Sequence, residues 1–560
     1  MTDRKWGRPA AGREPAASAV LAWLADADAP RMCVVTGSTG CGKSSLLAWL
    51  IAHGTREGTR PDRRVHAFVP LAGRTALTAA WTLAQQLSVA ARTPGELVTA
   101  LAADRRRTVI VLPELHAAAD PASIAELALL LADLAHVRLI AEVRSESGEA
   151  QSLMAASAVM DLDEARWTDP ERYAVWATTQ PSGRRVADGS TPLPSRPAVD
   201  LNDPAAVCAA DPWQVSVRYE RSGGGHGGLR TAWLRAGVSL TREQTPADRA
   251  VVLLAALGDD ADPRIPGRLA DLAGGAAWQV AWRRVRGDVR PPWPGPACAL
   301  AAGRGLLAGK VLVADHQGTV RLLDESGAAP VGRLPNPVPR TRAVAATPEG
   351  DVLILDAQGR LHTRRSPSVP RATGLSALLE DGPTPLERLV SAATSRPDEP
   401  STASAVCAGL LAVGSATGRL HAFVADGHAD GLWTVRLHEG SVTALAALDL
   451  PLPADGATVP LVYSGGSDGT VRAWGPGAEP LATPVRSRPC PVTALAAANT
   501  ETGPVLAIGW ADGLVEHHAL DDDGTVRTYR PGSPVRSLAA TATGMLLVGT
   551  DDMMVCLRPA

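Results

Sequence analysis

An octapeptide near the amino terminus has the residue types and spacing that hold phosphate groups. It lies between an apolar run, 33–36, and a helical stretch, 45–50. Its glycines allow successive backbone N–H groups to point at an anion, and the following helix adds the positive end of its dipole. This order of strand, glycine-rich loop and helix predicts a nucleotide-phosphate site. The predicted contacts are Gly37, Ser38, Thr39, Gly40, Cys41, Gly42, Lys43, Ser44 and Ser45.

Two side chains of this loop carry specific predicted roles. Lys43 is expected to reach the β- and γ-phosphates, and the Ser44 hydroxyl is expected to ligate Mg²⁺. The only lysines in the chain are Lys5, Lys43 and Lys310, although lysine and arginine together number 55. A compact ammonium therefore stands where the planar fork of arginine cannot replace it.

Hydrolysis would need further groups, and two strand ends supply candidates. The strand 108–112 is followed by Pro113 and Glu114, where a metal-ordering aspartate would be expected. Glu114 could activate water or approach the metal, or it could be a solvated glutamate at a strand end. Arg144 follows the strand 137–143 and could sense a γ-phosphate, or it could be an ordinary surface arginine. The lack of an aspartate at position 113 predicts slow or absent ATP turnover.

The elements that would position these residues alternate as in a parallel α/β domain, 14–177. The predicted strands are 31–36, 65–71, 108–112 and 137–143, and the predicted helices between them are 78–87, 94–104 and 120–135. A polar stretch rich in proline and glycine, 178–197, predicts an exposed loop. The segment 203–275 is mostly helical in pattern, which predicts a helical or winged-helix-like subdomain over 178–275.

The remainder, 276–560, is repetitive. Strand–turn–strand segments place turns at positions 318, 359, 418, 469, 513 and 552, a spacing close to that of four-stranded propeller blades. The segment with His438, Asp468 and Trp474 resembles a WD-repeat blade. Residues 278–285 are predicted to supply the fourth strand of the last blade, which gives six blades, with seven as the alternative.

Composition narrows the classes of function. The net charge is −3 without long runs of like charge, which gives no support to nucleic acid or an anionic membrane as a partner. Seven scattered cysteines without a C-x-x-C pair predict neither a disulfide framework nor a zinc site. With no apolar leader, the chain is expected to be cytoplasmic. Its scarcity of lysine beside abundant alanine and arginine resembles the product of a high-GC, actinobacterial genome.

The order of phosphate loop, strand ending in Glu114, strand ending in Arg144, helical segment and repeats resembles the STAND class of signal-transduction P-loop NTPases, which includes NACHT and apoptotic ATPases. The resemblance implies a switch that exchanges ADP for ATP with Mg²⁺, oligomerises with nucleotide and recognises a protein through its propeller. Few residues precede the NTPase domain, so the resemblance implies a separate effector protein. Two alternatives remain: a scaffold with a vestigial nucleotide site, and an ATPase enzyme acting on a propeller-bound substrate.

Overall fold

The computed structural model describes most of the chain and divides it into two compact units. The first unit spans Met1–Asp200 and Trp213–Arg221, and the second spans Leu201–Pro212 and Ser222–Ala560. The described residues are 7–155, 157–179, 199–366, 383–395, 399–407, 409–424, 432–451, 458–521 and 524–560. Most of the predicted loop 178–197 lies outside them.

A five-stranded parallel sheet forms the centre of the first unit, in the order β2-β3-β4-β1-β5. Its strands are β1 (Met32–Thr36), β2 (Ala67–Phe68), β3 (Thr108–Leu112), β4 (Val137–Glu142) and β5 (Ala158–Asp161). The first, third and fourth are buried along their whole length. This matches their continuous apolar sequences, because a parallel sheet is covered on both faces.

Helices cover both faces of this sheet. The helices of residues 14–179 are α1 (Glu14–Ala25), α2 (Lys43–Gly54), α3 (Ala76–Gln86), α4 (Pro94–Ala103), α5 (Pro121–Ala132), α6 (Gly148–Met154) and α7 (Pro170–Thr179), of which α7 contributes no described residue to the core clusters. The apolar sides of α1 and α2 pack with alternate residues of β1, whereas α3, α4 and α5 contribute to a second core cluster. The predicted α/β architecture is confirmed. The strand predicted at 65–71 is only Ala67–Phe68, and α1 and β5 were not predicted.

The second unit begins with helices. These are α8 (Pro204–Ala209), α10 (Leu229–Leu240), α11 (Pro246–Ala256) and α12 (Arg264–Leu272), while α9 (Pro212–Arg221) belongs mainly to the first unit. At the start of α11, the Thr245 side chain accepts a hydrogen bond from the Asp248 N–H, and proline occupies the first helical position. This cap was predicted from the sequence. Residues 199–277 contain helices and no strand.

Six antiparallel sheets form a β-propeller in the described part of the second unit. The first three blades are β7–β10 (Ala299–Ala302, Lys310–Ala314, Val320–Asp324, Pro330–Arg333), β11–β13 (Thr341–Ala346, Asp351–Asp356, Leu361–Arg365) and β14–β17 (Ala403–Cys407, Leu410–Gly414, Arg419–Val424, Leu432–Arg436). A helix, α13 (Pro385–Thr394), lies between the second and third blades in sequence.

The fourth and fifth blades are β18–β21 (Val442–Pro451, Thr458–Gly466, Thr470–Trp474, Arg486–Ser487) and β22–β25 (Val492–Thr500, Gly503–Trp510, Val515–Ala519, Val526–Tyr529). The sixth combines β26–β28 (Ser537–Ala540, Leu546–Gly549, Met553–Pro559) with β6 (Trp278–Val285). Strand β6 pairs antiparallel with β28, which closes the ring. The predicted six blades and the predicted closing strand are both confirmed.

Blade four shows how a polar network fixes one turn of the propeller. His438 is 3% exposed, and its Nε2 lies 2.9 Å from the Ser464 hydroxyl oxygen. Its Nδ1 lies 3.1 Å from an oxygen of Asp468, which also accepts a hydrogen bond from the Glu439 N–H. The network ties the segment before the blade to the hairpin inside it.

Among the described residues, no helix is long and apolar enough to cross a membrane.

Candidate phosphate-binding site

The backbone of the predicted phosphate loop depends on its glycines. Strand β1 ends at Thr36 and helix α2 begins at Lys43, so the loop occupies the interval between them. Gly42, just before the helix, has a φ of 97°, a conformation that L-residues with side chains rarely adopt. A Cβ atom on Gly37 would lie 2.7 Å from the Cys41 sulfur. The loop therefore excludes side chains where it bends most tightly.

Lys43 is the first residue of α2, is 5% exposed and reaches back into this loop with its ammonium group. Its ammonium donates hydrogen bonds of 2.8 Å to the Gly37 carbonyl and 2.8 Å to the Ser38 carbonyl, and it lies 3.6 Å from the Cys41 sulfur. A buried charge with only carbonyl partners keeps its full positive field. The loop thus presents a fixed cation beside the amino terminus of α2, where the helix dipole also favours anions.

Ser44, the predicted metal ligand, faces a carboxylate that the sequence did not single out. Its hydroxyl donates a 2.8 Å hydrogen bond to Glu142 Oε1, and Glu142 is 2% exposed at the carboxyl end of β4. Strand β4 lies between β1 and β3, so it brings this glutamate directly beside the phosphate loop. A serine hydroxyl and a carboxylate are both oxygen ligands that Mg²⁺ accepts.

The backbone of Glu114 forms a hydrogen bond with the same carboxylate, that of Glu142. The Glu114 N–H donates to Glu142 Oε2 at 3.3 Å, and Glu114 itself adopts a left-handed φ of 59°. Burial raises the pKa of Glu142, and the nearby negative charge of Glu114 adds to this, while the Ser44 hydrogen bond and the charge of Lys43 oppose it. Two carboxyl groups therefore share one small region, and burial makes one of them reluctant to ionise.

His116 and Arg144 complete the charged surroundings. The His116 pKa is lowered by burial and by the positive charges of Arg144 and Lys43, and its Nδ1 is buried without a hydrogen-bond partner in the described structure. Arg144 is exposed and lies two residues beyond the end of β4. The carboxyl ends of β1, β3 and β4 are adjacent in the sheet, so Lys43, Glu114 and Arg144 follow strands that end at the same edge.

Two residues that carried no predicted role hold the loop from outside. The Arg13 guanidinium, on a residue 6% exposed, donates to the Cys41 carbonyl and, at 3.0 Å, to the Leu162 carbonyl. Asp163 accepts hydrogen bonds of 2.7 Å from the Ser38 N–H and 2.8 Å from its hydroxyl, and these bonds lower the Asp163 pKa. The segment after β5 therefore fixes the first half of the loop.

The other residues predicted to contact phosphate lie at or near the surface of the first unit. Thr39, Gly40 and Ser45 are exposed on the loop and the first turn of α2, and Cys41 is half-buried with a free thiol. Among the described residues, no side-chain partner places Thr39 or Ser45 in the site. They remain predictions that depend on their position in the motif.

These residues fit a magnesium-bound nucleoside triphosphate. The loop offers a backbone cradle that a Cβ would fill at Gly37, a buried ammonium and a helix amino terminus. The Ser44–Glu142 pair supplies oxygen ligands beside that cradle. Oxygen ligands for a cation next to an anion-binding loop are the donor set that a metal–phosphate complex requires.

Glu142 was missed because sequence alone does not show which strand lies next to the phosphate loop. Five buried apolar or neutral positions precede or flank it, so it looks like the polar end of an ordinary buried strand. The available signal was a carboxylate at the end of a strand that is apolar except for Arg138, where a buried charge needs a partner.

No family model matches this chain. No curated protein matches it either. Among solved structures, it is similar to the computationally designed Ika8 protein at 18% identity and a TM-score of 0.28, covering 47% of this chain and 70% of that one. The phosphate-binding interpretation therefore depends on the residues and geometry of the first unit itself.

Proposed function

We propose that this protein is an ATP-binding regulatory switch with slow or no hydrolysis. In this proposal the first unit binds ATP with Mg²⁺, and the propeller of the second unit recognises a protein partner. The carrying observation is the buried Lys43 ammonium beside a Ser44 hydroxyl that donates to the buried Glu142 carboxylate. Propellers host many functions, so the propeller supports interaction in general and does not identify the partner.

The residues have separable roles in binding. Lys43 would neutralise the outer phosphates, and the loop N–H groups and the start of α2 would hold phosphate oxygens. Mg²⁺, when bound, would supply positive charge that offsets the negative charge of the phosphates. Ser44 and Glu142 would hold that ion, and a cation here would favour the ionised form of Glu142, opposing the effect of its burial.

Slow turnover follows from what lies at the end of β3. Pro113 has no group that can ligate a metal or accept a proton, and Glu114 is half-buried with its backbone in a left-handed conformation. Glu114 is the one carboxylate of this pair with solvent access, so it is the candidate for orienting water. A nucleotide-dependent switch requires that bound ATP is not hydrolysed quickly, and weak activation of the attacking water would keep hydrolysis slow.

A binding and turnover measurement on the full chain tests this proposal. Labelled ATP with Mg²⁺ is titrated against the wild type and Lys43→Ala, following bound nucleotide and released phosphate together. Lys310→Ala, a lysine change on propeller strand β8, is the matched control. We expect the wild type and the control to bind, Lys43→Ala to lose at least about 100-fold in affinity, and turnover below about one per second.

Absence of ATP binding by the wild type would refute the proposal, as would equal affinity in Lys43→Ala. Turnover well above about one per second would refute the slow switch and favour an ATPase enzyme. Glu114→Gln separates the roles further. We expect it to lower any hydrolysis while ATP binding is kept, and loss of both together would assign Glu114 to the structure of the site.

A further inference from the structure

A serine, a histidine and an asparagine of the second unit form a chain of hydrogen bonds that the nucleotide proposal does not involve. The Ser222 hydroxyl oxygen lies 2.6 Å from His226 Nε2, and His226 Nδ1 lies 2.9 Å from Asn202 Oδ1. All three residues belong to the same compact unit. This is the spatial order of nucleophile, base and orienting group on which acyl transfer by a serine depends.

The partners of His226 fix the direction of these hydrogen bonds. An amide oxygen has no proton, so Asn202 Oδ1 accepts and the His226 Nδ1–H donates. In a neutral imidazole the other nitrogen then has a lone pair, and His226 Nε2 accepts from the Ser222 hydroxyl. The Gly224 N–H donates to the Ser222 oxygen at 3.2 Å, which leaves the hydroxyl proton for the imidazole. His226 is therefore placed to act as a general base toward Ser222.

Contacts with residues in and around α12 hold the two segments of this cluster. The Gly227 carbonyl, next to the histidine, accepts a 3.1 Å hydrogen bond from the Asp262 N–H. Asp203, next to the asparagine, lies 3.7 Å from a guanidinium nitrogen of Arg268 on α12. A Cβ atom on Gly227 would lie 2.6 Å from Ile265 Cδ1, so the loop packs closely at this point. Tertiary contacts thus support the geometry, as a catalytic arrangement requires.

Glycines leave one side of the reacting atoms open. Three consecutive glycines, 223–225, are exposed, whereas Ser222 and His226 are half-buried. A Cβ atom on Gly224 would lie 3.4 Å from His226 Nε2 and 3.7 Å from the Ser222 oxygen, so the missing side chain leaves space directly beside both atoms. Cβ atoms on Gly223 and Gly225 would have no neighbour within 4 Å among the described residues. A substrate can therefore approach this pair from solvent.

The same loop offers donors for the negative oxygen that forms during acyl transfer. Gly225 has a φ of −77° and a ψ of −18°, and His226 has a left-handed φ of 48°. A right-handed residue followed by a left-handed one turns successive backbone N–H groups toward one side, which makes an anion-binding concavity. Left-handed backbone at a residue other than glycine is also concentrated at functional sites. Backbone N–H groups of this kind stabilise the oxyanion in acyl transfer.

We propose that Ser222 is an acyl-transfer nucleophile, activated by His226 and positioned by Asn202, and that its substrates are carboxylic esters. As the serine oxygen bonds to the ester carbonyl carbon, its proton passes to His226 Nε2. The bond between that carbon and the alcohol oxygen then breaks, and the imidazolium gives its proton to the leaving alcohol. Water, activated by the same nitrogen, would release the acid and restore the serine. Because Asn202 carries no charge, it supports the imidazolium less than a carboxylate would, and we expect slow turnover.

Labelling of the full chain with a fluorophosphonate probe, followed by peptide mass spectrometry, tests this assignment without nucleotide. The probe forms a bond between its phosphorus and an activated serine oxygen and loses fluoride, while the base takes the serine proton. We expect one adduct per chain, at Ser222, and none in Ser222→Ala. His226→Ala should slow labelling at least about 100-fold. Ser391→Ala, which changes an exposed serine on α13, is the matched control and should be labelled as fast as the wild type.

Two changes at position 202 distinguish positioning of the base from a purely structural role. Asn202→Asp keeps the acceptor and adds a charge, so labelling should become about tenfold faster, whereas Asn202→Leu should slow it about tenfold. Hydrolysis of p-nitrophenyl acetate should give the same order of rates among the variants. No adduct at Ser222 in the wild type, or equal labelling rates in the wild type and His226→Ala, would overturn the proposal. Equal rates in Asn202→Asp and Asn202→Leu would overturn the role of Asn202.

Discussion

Glu142→Gln should make the first unit more stable without nucleotide and less responsive to Mg²⁺. Glu142 is 2% exposed, and its pKa is raised chiefly by burial, so its ionised form is unfavourable in the folded state. The amide removes that charge but can accept only one of the two hydrogen bonds now donated by Ser44 and the Glu114 N–H. Burial disfavours the ionised form more than these bonds favour it, so we expect the folded first unit to gain stability at pH 7, and gains of about 1 kcal/mol are typical of single stabilising substitutions.

Hydrogen exchange of peptides that contain β3 and β4 measures this change within the first unit. A gain of about 1 kcal/mol corresponds to exchange about fivefold slower in Glu142→Gln than in the wild type. Glu126→Gln, an exposed glutamate on α5, is the control and should leave exchange unchanged. Removal of a group that holds a metal site should weaken Mg²⁺-dependent ATP binding by about 10- to 100-fold.

The pH dependence gives a second check with a defined sign. A carboxyl group whose pKa is higher in the folded protein binds more protons there, so stability falls as pH rises through the interval between the two pKa values. The wild type should show this fall above the ordinary glutamate range, and Glu142→Gln should lack it. Faster exchange in Glu142→Gln at pH 7 without nucleotide would refute the reasoning, since it would mean that the carboxylate stabilises the fold.

Three further perturbations follow from contacts described above. Asp163→Asn should weaken ATP binding about threefold to tenfold, because the loop loses the carboxylate that holds Ser38. The difference in affinity between Asp163→Asn and the wild type should persist down to about pH 4, since the pKa of Asp163 is lowered. His438→Ala should lower the free energy of unfolding of the propeller by about 3 kcal/mol in denaturant titrations, and an unchanged midpoint would contradict the role of its network. Trp278→Ala should cost about 3–5 kcal/mol in the same assay, because this side chain is 3% exposed and donates to the Thr528 carbonyl of the neighbouring fifth blade. A loss below about 1 kcal/mol would contradict this expectation.

The parts of the fold that were predictable are those where local pattern and tertiary role agree. The phosphate loop was readable because its strand, glycines and helix are adjacent in sequence. The propeller could be predicted because its hairpins recur along the sequence. The turn glycines at 318, 359, 418, 469 and 513 all have a φ of 75–81° in the structure. Glycine adopts this left-handed turn at the lowest cost, so the same residue reappears in the first five blades, whereas the sixth has Asp552 at this position.

The rest required contacts between distant segments. Glu142 acquires its partner Ser44 across 98 residues, and Asp163 meets Ser38 across 125. The strand predicted at 65–71 is regular only over Ala67–Phe68, although the Val69 and Leu71 N–H groups still donate to the Val111 and Pro113 carbonyls at the end of β3.

The closing pair of strands, β6 and β28, also sets the order in which the second unit can be completed during synthesis. A hydrogen bond between Gln279 and Arg558 joins residues 279 positions apart. Blades one to five can each form from local hairpins as they leave the ribosome, whereas β6 must wait for Met553–Pro559 with its edge unpaired. Such an unpaired edge is a template for pairing with another chain. Nascent chains should therefore be most prone to aggregation just before the last strand emerges, and the sixth blade should be the last to become resistant to proteolysis.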